Sequence, residues 1–198
     1  MKLIFISGPS GSGKTTLSSQ IMTKIKNGVV LSTDNYYKTG LISKLLSKCV
    51  EGYFDRSISF NYKLFKKDFY YILKNGISIR ERSYNFEKKT IKNSYKEINN
   101  IRFLIVEGIF AKELSINFHC QNYFFLELKT NKNVCLKRVL RRDLNERGKE
   151  QKQAENDFLK SWDIYYSKFK DNTIKNNAND LIITKKTNID HLIKKLFN

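Results

Sequence analysis

A run of glycines, small polar residues and one lysine near the amino terminus has the composition of a phosphate-binding loop. It follows the P-loop pattern G-x-x-x-x-G-K-[ST], and the residues expected to bind ATP are Gly8, Pro9, Ser10, Gly11, Ser12, Gly13, Lys14, Thr15 and Thr16. Glycines let the backbone turn so that N–H groups face a phosphate chain. Lys14 would reach the β- and γ-phosphates, and the Thr15 hydroxyl would hold Mg²⁺. The alternative is a glycine- and serine-rich linker that ends in Lys-Thr.

The segments on either side of this loop favour the first interpretation. Residues 3–6 are all apolar, which predicts a short buried strand. Residues 16–26 contain neither proline nor glycine, and Leu17, Ile21 and Ile25 recur at four-residue spacing, which predicts a helix. The amino terminus of that helix would add partial positive charge next to the phosphates. The sequence therefore predicts a nucleoside-triphosphate-binding protein.

Two acidic residues follow apolar runs that read as buried strands. Asp34 comes shortly after residues 29–31, and Glu107 comes directly after residues 103–106. In an open α/β sheet, chemistry collects at the carboxyl ends of the strands. Asp34 there could accept a proton from an attacking hydroxyl or help hold Mg²⁺, although a turn or N-cap aspartate is an equal alternative. Glu107 is the expected second anchor for Mg²⁺.

A basic helix is predicted over residues 133–146. Arg138, Arg141 and Arg142 are three and four positions apart, so they share one face of that helix. Arginines beside a P-loop can bind phosphates as a site closes, which would make this helix part of a lid. A solvated basic surface is the alternative.

The remaining segments complete an α/β pattern. Further strands are predicted at 123–128 and 180–184, and further helices at 60–74, 154–169 and 189–197. Residues 40–48 fit either a helical turn or a loop. We expect the P-loop NTPase fold in one domain over residues 1–198: a mostly parallel sheet of about five strands flanked by helices, with a small β-hairpin at about 76–100 and a helical lid at about 138–150.

The 198-residue chain has a formal net charge of +18. One interpretation of this charge is nucleic-acid binding. The other is that lysine is abundant and scattered over a solvated surface. The lysines are dispersed and form no arginine-rich run, so we favour the second interpretation and do not expect a nucleic-acid partner.

Cellular context follows from what the sequence lacks. No apolar run approaches the roughly 18 residues of a membrane span, and the chain enters its first strand without a signal peptide. Cys49, Cys120 and Cys135 are far apart, so we predict neither a disulfide nor a zinc site. These features predict a cytoplasmic protein with no membrane partner. His119 and His191 lie in no cluster with metal-ligand spacing and receive no role.

Several short motifs, spread over nearly the whole chain, resemble those of a known family. They are TDNYY at 33–37, FD at 54–55, YNF at 84–86, VEGI at 106–109, RDLNERGK at 142–149 and ANDLII at 178–183. With the P-loop, these motifs make the chain resemble the uridine kinase family. Its members are P-loop kinases that phosphorylate the 5′-hydroxyl of uridine and cytidine, and they are related to phosphoribulokinase.

The resemblance implies roles on the phosphate side of the site. Asp34 would be the general base for the acceptor hydroxyl. Thr15, Asp34 and Glu107 would surround Mg²⁺. Arg142 and Arg147 would come from the lid to the triphosphate of ATP and join Lys14 in catalysis.

The resemblance also implies a small-molecule acceptor, either a nucleoside or a sugar. Asp55 would bind the ribose hydroxyls, and Tyr84 and Phe86 would line the pocket for the base. Lys89 stands where the family has a histidine in the segment that reads the base, which makes it a candidate substrate-binding residue. Members of the family often assemble, so a homo-oligomer is compatible with the sequence.

The departures from the family pattern lie on the acceptor side. Residues 56–57 are Arg-Ser instead of His-Pro, Ile91 and Val139 replace arginines, and residues 157–158 are Asp-Phe instead of Gln-Tyr. A site that loses the polar groups reading its substrate loses discrimination. Two alternatives therefore stand beside uridine or cytidine phosphorylation. One is the same chemistry on another sugar or sugar phosphate, and the other is a non-catalytic nucleotide- or nucleic-acid-binding protein.

Overall fold

The computed structural model describes residues 1–118, 122–168 and 179–197. The strands of the main sheet are β1 (Lys2–Ser7), β2 (Gly28–Ser32), β5 (Phe103–Glu107), β6 (Tyr123–Leu128) and β7 (Asp180–Ile183). All five are parallel and lie in the order β2-β5-β1-β6-β7. Two further strands, β3 (Ser78–Asn85) and β4 (Thr90–Ile98), form a separate antiparallel hairpin. The predicted α/β class, five-stranded parallel sheet and hairpin insertion are confirmed.

Helices connect these strands. They are α1 (Lys14–Lys24), α2 (Leu41–Cys49), α3 (Tyr62–Asn75), α4 (Ala111–Asn117), α5 (Lys132–Glu146), α6 (Gln151–Lys168) and α7 (Ile189–Phe197). Two short 3-10 turns that matter for the site are Thr33–Tyr36 and Tyr53–Asp55.

The structure resolves or shifts several of the predicted elements. The segment that fitted either a helical turn or a loop is the nine-residue helix α2. The predicted first helix begins two residues early, at Lys14, because Gly13 adopts a left-handed conformation and caps it. His119 and Cys120 lie outside the described ranges, as do residue 169, the end of a predicted helix, and residue 178, the start of the ANDLII motif.

The main sheet is buried on both faces, as an all-parallel sheet requires. Along β1, Leu3 and Phe5 point to a core shared with α3 and α4, whereas Ile4 and Ile6 point to a core shared with α1 and α7. This arrangement makes the sheet a fixed platform for the loops at its ends. No helix in the described part of the chain is both long and apolar enough to cross a bilayer.

The register of the sheet brings three strand ends together. Glu107, the last residue of β5, pairs with Ile6 of β1 on one side and with Ser32 of β2 on the other. The segments that follow these strands are the P-loop, the 3-10 turn with Asp34 and the turn at Gly108. All three therefore leave the sheet at one edge.

Candidate active site

The P-loop fills the space between β1 and the amino terminus of α1. Gly11 has φ +77, and a Cβ atom there would lie 2.6 Å from the carbonyl oxygen of Cys135 on α5. Only glycine can take this conformation and allow such a close approach. Inside the loop, the Ser12 hydroxyl is buried without a hydrogen-bond partner among the described residues. A buried polar atom of this kind suits a loop that is completed by a phosphate oxygen.

Lys14 projects back over the P-loop. Its Nζ atom donates hydrogen bonds to the carbonyl oxygens of Gly8 at 2.9 Å and Pro9 at 3.0 Å. Burial lowers the pKa of Lys14, and the nearby carboxylates of Glu107 and Asp34 oppose that shift. The ammonium group is therefore held at the loop with two carboxylates close by.

The two strand-end acids form one electrostatic cluster. Glu107 is 4% exposed, and its burial raises the pKa of its carboxyl group. The negative charge of Asp34 raises that pKa further, whereas hydrogen bonds with Ser32 and Thr15 lower it. Two carboxylates and a threonine hydroxyl are oxygen donors of the type that Mg²⁺ takes, usually together with substrate phosphates. These residues therefore fit the predicted Mg²⁺ site.

A cavity of about 570 Å³ opens beside this cluster. The predicted site residues that line it are Ser10, Asp34, Asp55, Phe86, Lys89, Arg142 and Arg147. Asp34 thus borders both the phosphate side and the cavity. Tyr84 does not line the cavity. It packs behind Phe86 with ring centroids 5.0 Å apart, and its buried hydroxyl has no partner in the described part of the chain.

Asp55 is held against α6. Its Oδ1 atom accepts a hydrogen bond of 2.6 Å from the Ser161 hydroxyl. Burial raises the pKa of Asp55, and the Ser161 hydrogen bond opposes that shift. The wall beside it is aromatic, because Tyr37 packs edge-on against Phe54 and Phe86 with centroid distances of 5.1 and 5.6 Å. The cavity therefore offers a fixed carboxyl group next to a flat apolar surface.

The last turns of α5 and the residues directly after it carry the predicted lid residues, and several of these form ion pairs with Asp143. Asp143 is only 2% exposed. Its carboxylate lies 2.8 Å from Arg142, 3.5 Å from Arg147 and 3.2 Å from Lys149. Burial alone would raise the pKa of Asp143, but these cations bring it below its ordinary range. Arg147 also lies 4.0 Å above the Phe86 ring, which joins the lid to the hairpin.

The three arginines expected on one face of the basic helix separate into different environments. Arg138 donates hydrogen bonds to the carbonyl oxygens of Gly11 and Ser12 in the P-loop. Arg142 lines the cavity, whereas Arg141 is exposed and does not line it. Two of the three therefore face the site.

Several residues of this site have no role that the sequence predicts. Tyr37 and Asp143 lay within the recognised motifs, so a signal for them was present. Ser161 lies 106 positions after Asp55 and carries no local signal. Lys149, in the recognised segment at 142–149, also donates a hydrogen bond of 2.8 Å to Asp157, a position where this sequence departs from the family pattern.

The chain is similar to known proteins along most of its length. The Phosphoribulokinase / Uridine kinase family model matches residues 3–190. Uridine kinase from Ureaplasma parvum serovar 3 is 30% identical over 203 residues, which cover 99% of this chain and 95% of that protein. Uridine kinase from Borrelia duttonii is 31% identical over 171 residues, which cover 85% of this chain and 80% of that protein.

A solved structure shows the same fold at greater distance. D-glycerate 3-kinase from Cryptococcus neoformans var. grubii superposes with a TM-score of 0.61 and 16% identity, covering 96% of this chain and 86% of that one. The family match, which spans most of the sequence, makes the protein a kinase, a phosphotransferase that acts on a hydroxyl group. The chain belongs to the phosphoribulokinase and uridine kinase family.

Proposed function

We propose that this kinase transfers the γ-phosphoryl group of ATP to the 5′-hydroxyl of uridine or cytidine. The observation that carries the proposal is the place of Asp34, which neighbours Lys14 and Glu107 and also lines the acceptor cavity. The names of the curated relatives support the choice of acceptor. With this activity the protein would return pyrimidine nucleosides to the nucleotide pool, and we place that reaction in the cytoplasm, where ATP is available.

On the donor side, the backbone N–H groups of the P-loop and the unpaired Ser12 hydroxyl would bind the phosphate chain of ATP. Lys14 would exchange its carbonyl contacts for β- and γ-phosphate oxygens. Mg²⁺, held by Thr15, Asp34 and Glu107, would neutralise charge on those phosphates. Arg142 and Arg147 would add positive charge from the lid.

On the acceptor side, Asp55 would bind the ribose hydroxyls and Phe86 would lie against the base. Tyr84 would support Phe86 from behind, and Lys89 would face the base from the hairpin. Asp34 would then accept the proton of the 5′-hydroxyl as that oxygen attacks the γ-phosphorus in line. Fixing both reactants in this way supplies much of the rate in phosphoryl transfer.

The charge of the cavity bears on the alternative, a sugar-phosphate acceptor. Among the residues that the structure describes, the six cationic side chains lining it are Lys48, Lys89, Arg142, Arg147, Lys149 and Lys160. The six acidic side chains lining it, counted over the same residues, are Asp34, Glu51, Asp55, Glu87, Asp143 and Asp157. A pocket for an anion would carry an excess of cations. The equal numbers, together with the aromatic wall, support a neutral nucleoside.

The test is ADP release from Mg-ATP, first without acceptor and then with uridine, cytidine and a set of sugars and sugar phosphates. We expect stimulation by uridine or cytidine. Asp34→Asn should abolish that stimulation and leave ATP binding largely intact, whereas Asp163→Asn on the exposed side of α6 should change neither. If only a sugar phosphate stimulates ADP release, the acceptor is that sugar phosphate and not uridine or cytidine. If Asp34→Asn turns over at the wild-type rate, Asp34 is not the general base.

A further inference from the structure

Helix α2 is oriented with its polar side toward the protein. Ser43 is 3% exposed, and its hydroxyl hydrogen bonds to the Lys38 carbonyl oxygen at 2.8 Å and to the Tyr53 hydroxyl at 3.0 Å. One turn later, the Ser47 hydroxyl accepts a hydrogen bond of 2.5 Å from Lys89. A surface helix normally buries its apolar side instead. The inverted orientation is therefore fixed by specific polar contacts.

The opposite side of α2 presents large aliphatic side chains to solvent. Leu41, Ile42 and Leu45 are 84%, 76% and 62% exposed, and their spacing places them on one side of the helix. We call these three residues the α2 apolar face. Single exposed apolar residues are ordinary on protein surfaces, but a group on one helix face marks an interaction site.

Lysines surround the α2 apolar face. Lys38, Lys44 and Lys48 are exposed, and none of them forms an ion pair within the described ranges. The net charge of the whole chain is +18, so the field around this face is positive at longer range as well. A second copy of the chain would bring the same lysines against each other, which opposes self-association through this face. The charge instead complements an anionic partner.

Aliphatic side chains that are exposed to this degree protrude from the surface. Protruding apolar side chains bordered by lysines match a deformable surface that combines acyl chains with anionic headgroups. We propose that α2 docks the kinase on anionic lipid bilayers, with Leu41, Ile42 and Leu45 inserted at the headgroup boundary. Lys38 and Lys44, which lie outside the cavity, extend to the lipid phosphates. Such a contact requires no spanning helix.

Docking would place the acceptor cavity next to the bilayer. Ser47, Lys48 and Cys49, at the carboxyl end of α2, line that cavity, whereas the α2 apolar face lies outside it. The lipid contact does not depend on which acceptor the kinase uses, so the two proposals can fail separately.

The test is co-sedimentation of the full-length protein with vesicles of phosphatidylcholine, with and without about 30% phosphatidylglycerol, near physiological salt. We expect binding only to the anionic vesicles. Leu45→Ser should weaken it about tenfold, and Ile182→Ser, which changes another exposed isoleucine, should not. Lys44→Gln should weaken it about fivefold, more than the same charge removed at Lys63 on α3.

Three results would overturn the proposal. One is the absence of binding to anionic vesicles. Another is equal binding by wild type and Leu45→Ser, which would assign the attraction to net charge alone. The third is a concentration-dependent dimer that Leu45→Ser dissociates in the absence of lipid, which would make a second copy the occupant. ADP release by Leu45→Ser at the wild-type rate serves as the control for folding, because Leu45 lies outside the cavity.

Discussion

Gly108 offers a direct way to test how the strand-end cluster is assembled. It follows Glu107 with φ +138, and a Cβ atom at this position would lie 1.8 Å from the Thr33 hydroxyl oxygen and 2.9 Å from the Thr33 Cβ. Thr33 is fully buried and begins the turn that carries Asp34. In Gly108→Ala, the new Cβ atom and the Thr33 hydroxyl oxygen must separate by more than an ångström, by rotation of the Thr33 side chain or by a shift of one of the two segments.

The expected loss in free energy of unfolding has two parts. A left-handed conformation costs an alanine about 1–2 kcal/mol, and forcing extra volume into a packed site costs about 1–3 kcal/mol more. Gly108→Ala should therefore destabilise the protein by about 2–5 kcal/mol. Gly76→Ala is the matched control, because Gly76 has φ +65 but open space around its missing Cβ. It should show only the conformational part, about 1–2 kcal/mol.

Urea unfolding followed by circular dichroism measures both free energies of unfolding, and ADP release measures activity under conditions where each variant is folded. Thr33 and Asp34 share one turn, so we expect a shift of that turn relative to Glu107 to lower the turnover of Gly108→Ala by about a hundredfold, whereas Gly76→Ala should retain it. Adding Thr33→Ala removes the closest contact and should recover part of the lost stability. Equal destabilisation of the two glycine variants, with turnover intact in both, would refute the collision between Gly108 and Thr33.

Three further variants test individual charges. Glu107→Gln removes a carboxyl group whose pKa is raised in the folded protein. Because of that shift, the wild-type protein loses stability as the pH rises from the ordinary glutamate pKa through the pKa of the folded state. The urea midpoint of Glu107→Gln without ligands should therefore exceed that of wild type at neutral pH, with the difference disappearing in acid; a lower neutral midpoint would contradict this. Asp143→Asn should reduce kcat about tenfold or more because three lid cations lose their shared partner, with partial recovery in Asp143→Glu; an unchanged kcat would assign Asp143 a structural role only. Asp55→Asn should raise KM for the nucleoside about 10- to 100-fold and leave KM for ATP unchanged, and a parallel rise in both constants would count against ribose binding.

The phosphate side of the site could be predicted because its signals are local. The P-loop pattern, the apolar strand before it and the helix after it occupy adjacent residues, and the carboxyl ends of parallel strands meet by the geometry of the sheet. The sequence therefore predicts that Asp34 and Glu107 lie close together, and the register of Glu107 with Ile6 and Ser32 brings their segments to one edge of the sheet.

The remaining features depend on contacts between distant parts of the chain. The sequence of residues 40–48 fits either a helical turn or a loop, and it does not say which side of a helix there would be buried. Hydrogen bonds of Ser43 with Tyr53 and of Ser47 with Lys89 decide that orientation. The contact between Ser161 and Asp55 likewise arises only when α6 packs over the turn that carries Asp55.

The order of the strands also bears on how the protein is made. β1 and β2 pair only with β5 and β6 in the described sheet, so Lys2 finds its partner in Phe103, about a hundred residues later. During synthesis, neither amino-terminal strand can enter the sheet until β5 has left the ribosome. Long-range parallel pairing of this kind is slow to form. A fragment that ends before residue 100 would contain the whole P-loop sequence but no platform to hold it open for ATP.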